Sequence, residues 1–130
     1  IFYEGVFDSI KELSKHYKLG VLTNGNADIY KFEIGKFFDF SISSVDVKSN
    51  KPDEPHFSKA LDNYESISYE EMLHIGDDRT NDVYGAHVLG INTLWFNRKN
   101  EDWNLEIPEP KQFCDWKNFL RLIEDEYESK

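Results

Sequence analysis

Apolar and polar positions alternate with two different periods along this chain, and the first elements show both. From Phe7 to Tyr17, apolar side chains recur every three or four residues, which predicts a helix. The run from Leu19 to Thr23 is rich in β-forming residues and is stopped by Asn24-Gly25, which predicts a strand followed by a turn. A short helix is expected from Ala27 to about Ile34, with one of the preceding asparagines as its cap.

The same alternation continues through the middle of the chain. Phe40 to Ser44 predicts a second strand, and the polar stretch from Asp46 to Glu54 predicts a loop. Proline suits the first turn of a helix, so Pro55 to about Tyr64 predicts a helix whose apolar side chains form one face. The stretch from Ser68 to Glu71 resembles a capping box and predicts one short turn before the next strand.

The last part of the chain again predicts strands and helices in turn. Gly90 suits the position after a helix, and Asp115 suits the cap of one. The predicted elements are a strand from Met72 to Ile75, a helix from about Asp82 to Leu89, a strand from Asn92 to Phe96, a loop from Asn97 to Pro110, a short strand at Phe113-Cys114 and a helix from Trp116 to Tyr127.

The order of these elements indicates the fold class. Alternating strands and helices favour a parallel sheet that is covered by helices on both faces. We therefore predict an α/β fold, a three-layer αβα arrangement of the Rossmann-like type. The 130 residues fit a single domain, and no internal repeat is present.

Composition narrows the partners and the compartment. The net charge of −10, from 25 acids and 15 bases, argues against binding of nucleic acid or an anionic membrane but allows a small phosphorylated substrate. The single cysteine, Cys114, excludes an intrachain disulfide, so we expect a cytoplasmic protein. No apolar run approaches the roughly 18 residues of a membrane span. Because the chain starts at Ile1 and its only methionine is Met72, we expect a piece of a longer protein.

The candidate chemistry begins with the stretch from Gly76 to Asp82. Asp77, Asp78 and Asp82 follow directly after a predicted strand, and carboxylate oxygens are the ligands that Mg²⁺ prefers. In open α/β sheets the ligand lies beyond the carboxyl ends of the strands. The same rim is expected to hold the Thr23-Asn24-Gly25 turn and Lys51. Hydroxyl, amide and ammonium donors beside acids suit a phosphoryl group with Mg²⁺.

Each of these residues has a simpler interpretation when it is taken alone. Asn24-Gly25 is a common turn, Lys51 a common solvated charge, and the acids common turn and capping residues. A calcium loop starting at Asp77 fails because its third position is Arg79, and the four histidines show no metal-ligand spacing. A receiver-type signalling domain is disfavoured because the lysine precedes the acids. The phosphoryl site therefore depends on the positions of these residues at successive strand ends.

Three motifs in this order resemble those of the haloacid dehalogenase superfamily of phosphohydrolases. Leu22-Thr23-Asn24-Gly25 is similar to its second motif, Lys51-Pro52 to its third, and Gly76 to Asp82 to its fourth, GDxxxxD. The Ala/Gly-rich stretch from Val83 to Gly90, followed by the strand Asn92–Phe96, is similar to the usual continuation. The nearest type is the group of nucleotide, FMN and sugar-phosphate phosphatases with a helical cap.

The resemblance implies roles for the phosphate-facing residues. Thr23 is expected to donate to the transferring phosphoryl group, with help from the amides of Asn24 and Gly25. Lys51 is expected to stabilise the nucleophile and the phosphate charge.

It also implies roles for the acids. Asp77 is expected to ligate Mg²⁺, and Asp78 to be a further ligand or a supporting acid. Asp82 is expected to belong to the same metal site, where it orients the loop or pairs with Lys51.

The chain departs from the superfamily at its first motif. That motif, Asp-x-Asp at the end of a central strand, is absent, and its first Asp is the nucleophile. The fold expected here therefore lacks the first-motif strand and the cap, and the chain alone is expected to be inactive.

The absent strand belongs between the strands that end at Thr23 and Asp77, so its loss exposes two strand edges. We expect the fragment to rearrange, to self-associate or to pair with the missing N-terminal half. The alternative to an enzyme is a non-catalytic interaction module on the same scaffold.

Overall fold

The computed structural model describes residues 4–26 and 28–125. Within them, the chain forms five α-helices and five strands, with short 3₁₀ and π segments between them. The helices are α1 Val6–Ser14, α2 Ser44–Val47, α3 Pro55–Leu61, α4 Gly85–His87 and α5 Phe119–Ile123, and the strands are β1 Gly20–Thr23, β2 Phe40–Ser43, β3 Leu73–Gly76, β4 Asn92–Phe96 and β5 Lys111–Phe113. The 3₁₀ segments are Ile29–Lys31, Glu33–Phe37, Tyr69–Glu71 and Trp116–Asn118, and the π segment is Arg79–Tyr84.

All paired strands run parallel, which confirms the α/β prediction. β1 pairs with β2, with Gly20 opposite Phe40, and β3, β4 and β5 form a second sheet in that order. Two clusters of buried side chains pack against these strands. One joins α1 and α5 to β4 and β5, and the other joins Phe57 of α3 to Ala86 of α4 and to Ile91. Helices of the described chain thus supply apolar faces to both clusters.

An apolar groove of about 470 Å³ separates the two sheets. Leu19, Gly20 and Leu22 line it on the β1 side, and residues of β3 line the other side. Leu13 and Phe57, from α1 and α3, also line it, so helices from both clusters border the groove. The groove lies where the sequence predicted the position of an absent strand, and β1 and β3 do not pair with each other in the described chain.

The predicted helix from Ala27 to Ile34 is wrong. The structure has the segments Ile29–Lys31 and Glu33–Phe37 instead, and the Asp28 carboxylate caps the first by accepting from Tyr30 N–H. Ala27 lies outside the described residues. A Cβ on Gly35 would lie 2.5 Å from the Ile29 carbonyl oxygen, so the second turn folds back on the first. Side-chain periodicity gives no sign of such a close backbone approach.

The other predicted element boundaries differ from the observed ones by a few residues. The helix expected at Asp82 begins earlier, as the π segment Arg79–Tyr84, and α4 ends at His87. α2, which Ser43 and Asp46 cap reciprocally, begins at the last residue of the predicted second strand and ends within the predicted loop. The capping box before β3 is confirmed at Ser68 and Glu71. The last predicted helix is described as far as Asp125 and its Tyr127 lies outside the described residues. None of the described helices is long and apolar enough to cross a membrane.

Candidate functional site

Lys51 connects the two sheets at the carboxyl ends of their strands. Its side chain is 9% exposed, and Nζ donates to the Asp82 carboxylate over 2.6 Å. Nζ also donates to the main-chain oxygen of Leu22 in β1 over 3.2 Å. One ammonium group therefore contacts the end of β1 and the segment that follows β3, which brings the predicted third motif between the second and the fourth.

The loop that carries Lys51 is tied to the turn after β1. The Asn24 side chain accepts from Lys51 N–H over 2.7 Å and donates to the Lys51 carbonyl over 3.1 Å. The Ser44 hydroxyl donates to the Asn24 carbonyl over 2.9 Å. Asn24 thus orders the Lys51 loop through its side chain, which leaves only its main-chain amide for the predicted anion contact.

Thr23 and Gly25 interact with each other within the turn. Gly25 N–H donates to the Thr23 hydroxyl oxygen over 2.9 Å, an internal bond that the sequence did not predict. A hydroxyl has one proton to donate besides its acceptor positions, so Thr23 keeps its O–H for another acceptor. Of the predicted donors in this turn, the Gly25 amide is therefore already used, and the Thr23 hydroxyl is available.

Asp82 is a buried carboxylate with three donors. Its Oδ1 accepts from Lys51 and lies 2.9 Å from His74 Nε2, and Oδ2 accepts from Asp78 N–H over 3.2 Å. Burial raises its pKa, but the His74 hydrogen bond and the Lys51 charge outweigh burial and lower the pKa to about 2. A Cβ on Gly76 would lie 2.2 Å from Asp82 Cγ, so the glycine of the fourth motif makes room for this carboxylate.

Asp77 and Asp78 are exposed and have different surroundings. Within the described chain the Asp77 carboxylate has no hydrogen-bond or ion-pair partner, while its main-chain oxygen accepts from the Trp95 indole over 3.0 Å. Asp78 Oδ1 accepts from Thr80 N–H and Asn81 N–H, which caps the π segment. Asp77 is therefore the free acid of the loop, and Asp78 anchors it.

The donor set fits part of a Mg²⁺ site. No group of three or more His, Cys, Asp or Glu able to hold a metal occurs among residues 4–26 and 28–125. Mg²⁺ is commonly bound through one or two carboxylates, with waters and substrate phosphate completing the shell. Asp77, with the second oxygen of Asp78, supplies such a partial set. The Asp82 carboxylate contacts Lys51 and His74 through Oδ1 and Asp78 N–H through Oδ2, and its place in the metal site stays a prediction.

Two histidines contact the predicted site residues, and the sequence pattern predicted neither as part of the site. His74 is 14% exposed, contacts Asp82 and packs edge-to-face on Phe57. His56 is fully buried, and its Nε2 lies 2.8 Å from the Thr23 carbonyl oxygen. The sequence shows only that His56 lies beside Phe57 at the start of an amphipathic helix. No sequence spacing relates His56 to Thr23.

Comparison with known proteins shows the family of this chain. Residues 1–96 match the family of haloacid dehalogenase-like hydrolases. The 5-amino-6-(5-phospho-D-ribitylamino)uracil phosphatase YigB of Escherichia coli is 34% identical over 95 residues, which cover 73% of this chain and 40% of YigB. A glyceraldehyde 3-phosphate phosphatase of Pyrococcus abyssi is 36% identical over 85 residues, 62% of this chain and 35% of that protein.

Solved structures give the same result for the fold. A 2-haloacid dehalogenase from Pseudomonas syringae superposes with a TM-score of 0.89 at 25% identity, covering 96% of this chain and 54% of that one. The putative HAD-hydrolase YfnB from Bacillus subtilis, bound to magnesium, superposes with a TM-score of 0.84 at 25% identity, covering 92% and 55%. This chain thus spans about half or less of the length of these four proteins. By its matched residues and its fold, the chain belongs to the haloacid dehalogenase-like hydrolase family.

Proposed function

We propose that this chain is the C-terminal part of the core of a Mg²⁺-dependent phosphatase that acts on a small phosphate monoester. The observation that carries the proposal is the position of Lys51, whose ammonium group joins the end of β1 to the buried Asp82. A buried ion pair is weak evidence for stability, because well-packed apolar side chains commonly serve as well. Its place at the meeting point of three strand-end motifs favours a chemical role.

The proposed roles follow from which groups are free and which are held. Thr23 donates its hydroxyl proton to a phosphoryl oxygen, because Gly25 N–H already occupies the hydroxyl oxygen. Lys51 offsets the negative charge of the phosphoryl oxygens and of the carboxylate nucleophile. Asp82 and Asn24 hold Lys51 in place.

The metal side of the proposed site is the loop after β3. Asp77 is the free carboxylate that takes Mg²⁺, with Asp78 as a supporting acid. The ion, when bound, neutralises the charge of the transferring phosphoryl group and orients it. Asp82 acts on this loop indirectly, by accepting from Asp78 N–H.

The substrate class is proposed from the relatives. The relatives include phosphatases named for 5-amino-6-(5-phospho-D-ribitylamino)uracil, for glyceraldehyde 3-phosphate and for phosphoserine, and the pyrimidine 5′-nucleotidase PynA of Streptococcus pneumoniae. We place the substrate of this protein in the nucleotide, FMN or sugar-phosphate class. The single cysteine fits the cytoplasmic location that we propose for this enzyme.

The test uses the longest natural protein that contains this chain. Incubated with a generic aryl phosphate and Mg²⁺, it is expected to release inorganic phosphate, whereas the 130-residue chain alone is expected to be inactive. Replacing Asp77 by Asn is expected to lower activity and to raise the Mg²⁺ concentration needed for half-maximal rate. Asp8→Asn, an exposed acid on α1, is the matched control. Full activity of the Asp77 variant refutes the metal assignment.

The second candidate function is a non-catalytic interaction module, and the groove between β1 and β3 is the observation that favours it. Its apolar lining and the unpaired strand edges of the described chain fit a parallel strand from a second copy of this chain. Analytical ultracentrifugation of the 130-residue chain is expected to show self-association, and the longest natural protein that contains it is expected to release no phosphate from an aryl ester. A well-folded monomer whose hydrogen exchange protects both edges counts against this partner.

A further inference from the structure

We propose that His56 is a positioning residue for the phosphoryl-binding turn after β1, an inference that rests on the proposed function of that turn. His56 is the second residue of α3, and no part of it is exposed. Its Nε2 lies 2.8 Å from the carbonyl oxygen of Thr23, the last residue of β1. A carbonyl oxygen only accepts, so Nε2 carries the hydrogen and donates it.

The direction of this hydrogen bond decides where the next amide points. The Thr23–Asn24 peptide is trans, so its C=O and N–H point in opposite directions. His56 holds the oxygen toward the buried side of α3. The Asn24 N–H is therefore aimed away from α3, which is the orientation that an anion above the turn requires.

A second side chain holds the preceding carbonyl of the same strand. Lys51 Nζ donates to the Leu22 oxygen, and consecutive carbonyls of a strand point to opposite sides. His56 and Lys51 thus bind neighbouring peptide groups of β1 from opposite sides. Together they restrict rotation of the two peptide groups that flank Thr23, whose hydroxyl is the proposed donor.

The identity of the side chain supports positioning more than packing. No protein group in the described residues hydrogen-bonds to Nδ1 of His56, although that nitrogen is buried. Leucine fills a similar volume without burying a nitrogen, so packing alone does not favour histidine. What histidine adds at this position is the Nε2 donor to Thr23.

Three variants separate the donor from the volume. His56→Gln places an amide donor near the position of Nε2, His56→Asn places one near Nδ1, and His56→Leu keeps only the volume. All are made in the longest natural protein that contains this chain. Two quantities are measured: steady-state kinetics with an aryl phosphate, and binding of inorganic phosphate monitored by the NMR shift of the Asn24 amide.

If His56 is a positioning residue, phosphate binding and kcat/KM should fall only in variants that lack a donor at the Nε2 position. His56→Leu and His56→Asn are expected to weaken phosphate binding and to lower kcat/KM by about tenfold, the scale of one lost hydrogen bond. His56→Gln is expected to stay within a few-fold of the parent. Thermal unfolding supplies the contrasting readout, because His56→Leu is expected to unfold no earlier than the parent while its phosphate binding falls.

The outcomes distinguish this inference from the proposed function. If the parent protein binds phosphate and His56→Leu binds it equally well, the inference is overturned and the proposed function stands. The inference is also overturned if His56→Gln weakens phosphate binding as much as His56→Leu does. If the parent binds no phosphate and releases none from the aryl ester, the proposed function fails and the inference fails with it.

Discussion

The pH dependence of stability is the sharpest test of the buried Lys51–Asp82–His74 cluster. The Asp82 pKa falls from 3.8 to about 2 on folding, because the His74 hydrogen bond and the Lys51 charge outweigh burial. A carboxylate with a depressed folded-state pKa stabilises the protein above its unfolded-state pKa. That stability is lost as the pH falls through the folded-state pKa.

The magnitude follows from the size of the shift. A fall from 3.8 to about 2 corresponds to roughly 2 kcal/mol of stability at neutral pH, at about 1.4 kcal/mol per pKa unit. Between about pH 5 and about pH 2.5, roughly 1.5 kcal/mol of this is expected to disappear. The side chain of Asp82 is 7% exposed, so solvent screening reduces this figure little.

The measurement compares the parent chain with Asp82→Asn. Urea unfolding with a metal chelator present gives the free energy of unfolding of both proteins across this pH range. The other carboxylates titrate in both proteins and cancel in the difference, which is expected to shrink by roughly 1.5 kcal/mol on acidification. Asp8→Asn, on the exposed face of α1, serves as the control. A difference between parent and Asp82→Asn that stays constant with pH refutes the cluster as described.

Two further substitutions probe the packing around the site. Gly76→Ala puts a Cβ 2.2 Å from Asp82 Cγ, so it is expected to lower the free energy of unfolding by about 1–3 kcal/mol, measured in urea. An unchanged unfolding midpoint contradicts the close approach. Phe57→Ala empties a fully buried position against His74 and is expected to lower the free energy of unfolding by about 3–5 kcal/mol, measured by thermal or urea unfolding. Phe32→Ala, which changes an exposed aromatic residue, is the control and is expected to lower it far less.

Strands and amphipathic helices were the most predictable part of the fold. β4 was predicted with its observed bounds, and α3 and the capping box at Ser68 were found where local patterns placed them. Their signals are local, since side-chain period and capping residues lie within a few positions of each other. The segment after β1 was mispredicted because the packing of Gly35 on Ile29 depends on a backbone fold with no sequence period.

In the candidate site too, some features could be predicted from the sequence and others could not. Thr23, Lys51 and the acids were predicted as site residues because polar residues at successive strand ends of a parallel sheet meet on one rim. The hydrogen-bond partners of these residues were not predicted. Lys51 is bound to Leu22, and Thr23 to His56, across 29 and 33 positions, and side-chain contacts of this kind carry no repeating signal.

The sequence by itself determined the α/β class, the parallel pairing and the family, because the side-chain period and each of the three ordered motifs depend on residues that lie close together in the sequence. Tertiary structure alone decided how the motif residues are used. It assigned the Asn24 side chain to the Lys51 loop, buried Asp82 against Lys51 and His74, and left Asp77 free. The physical reason is that identical carboxylates differ only in burial and in the donors that surround them, and both arise when distant segments pack together.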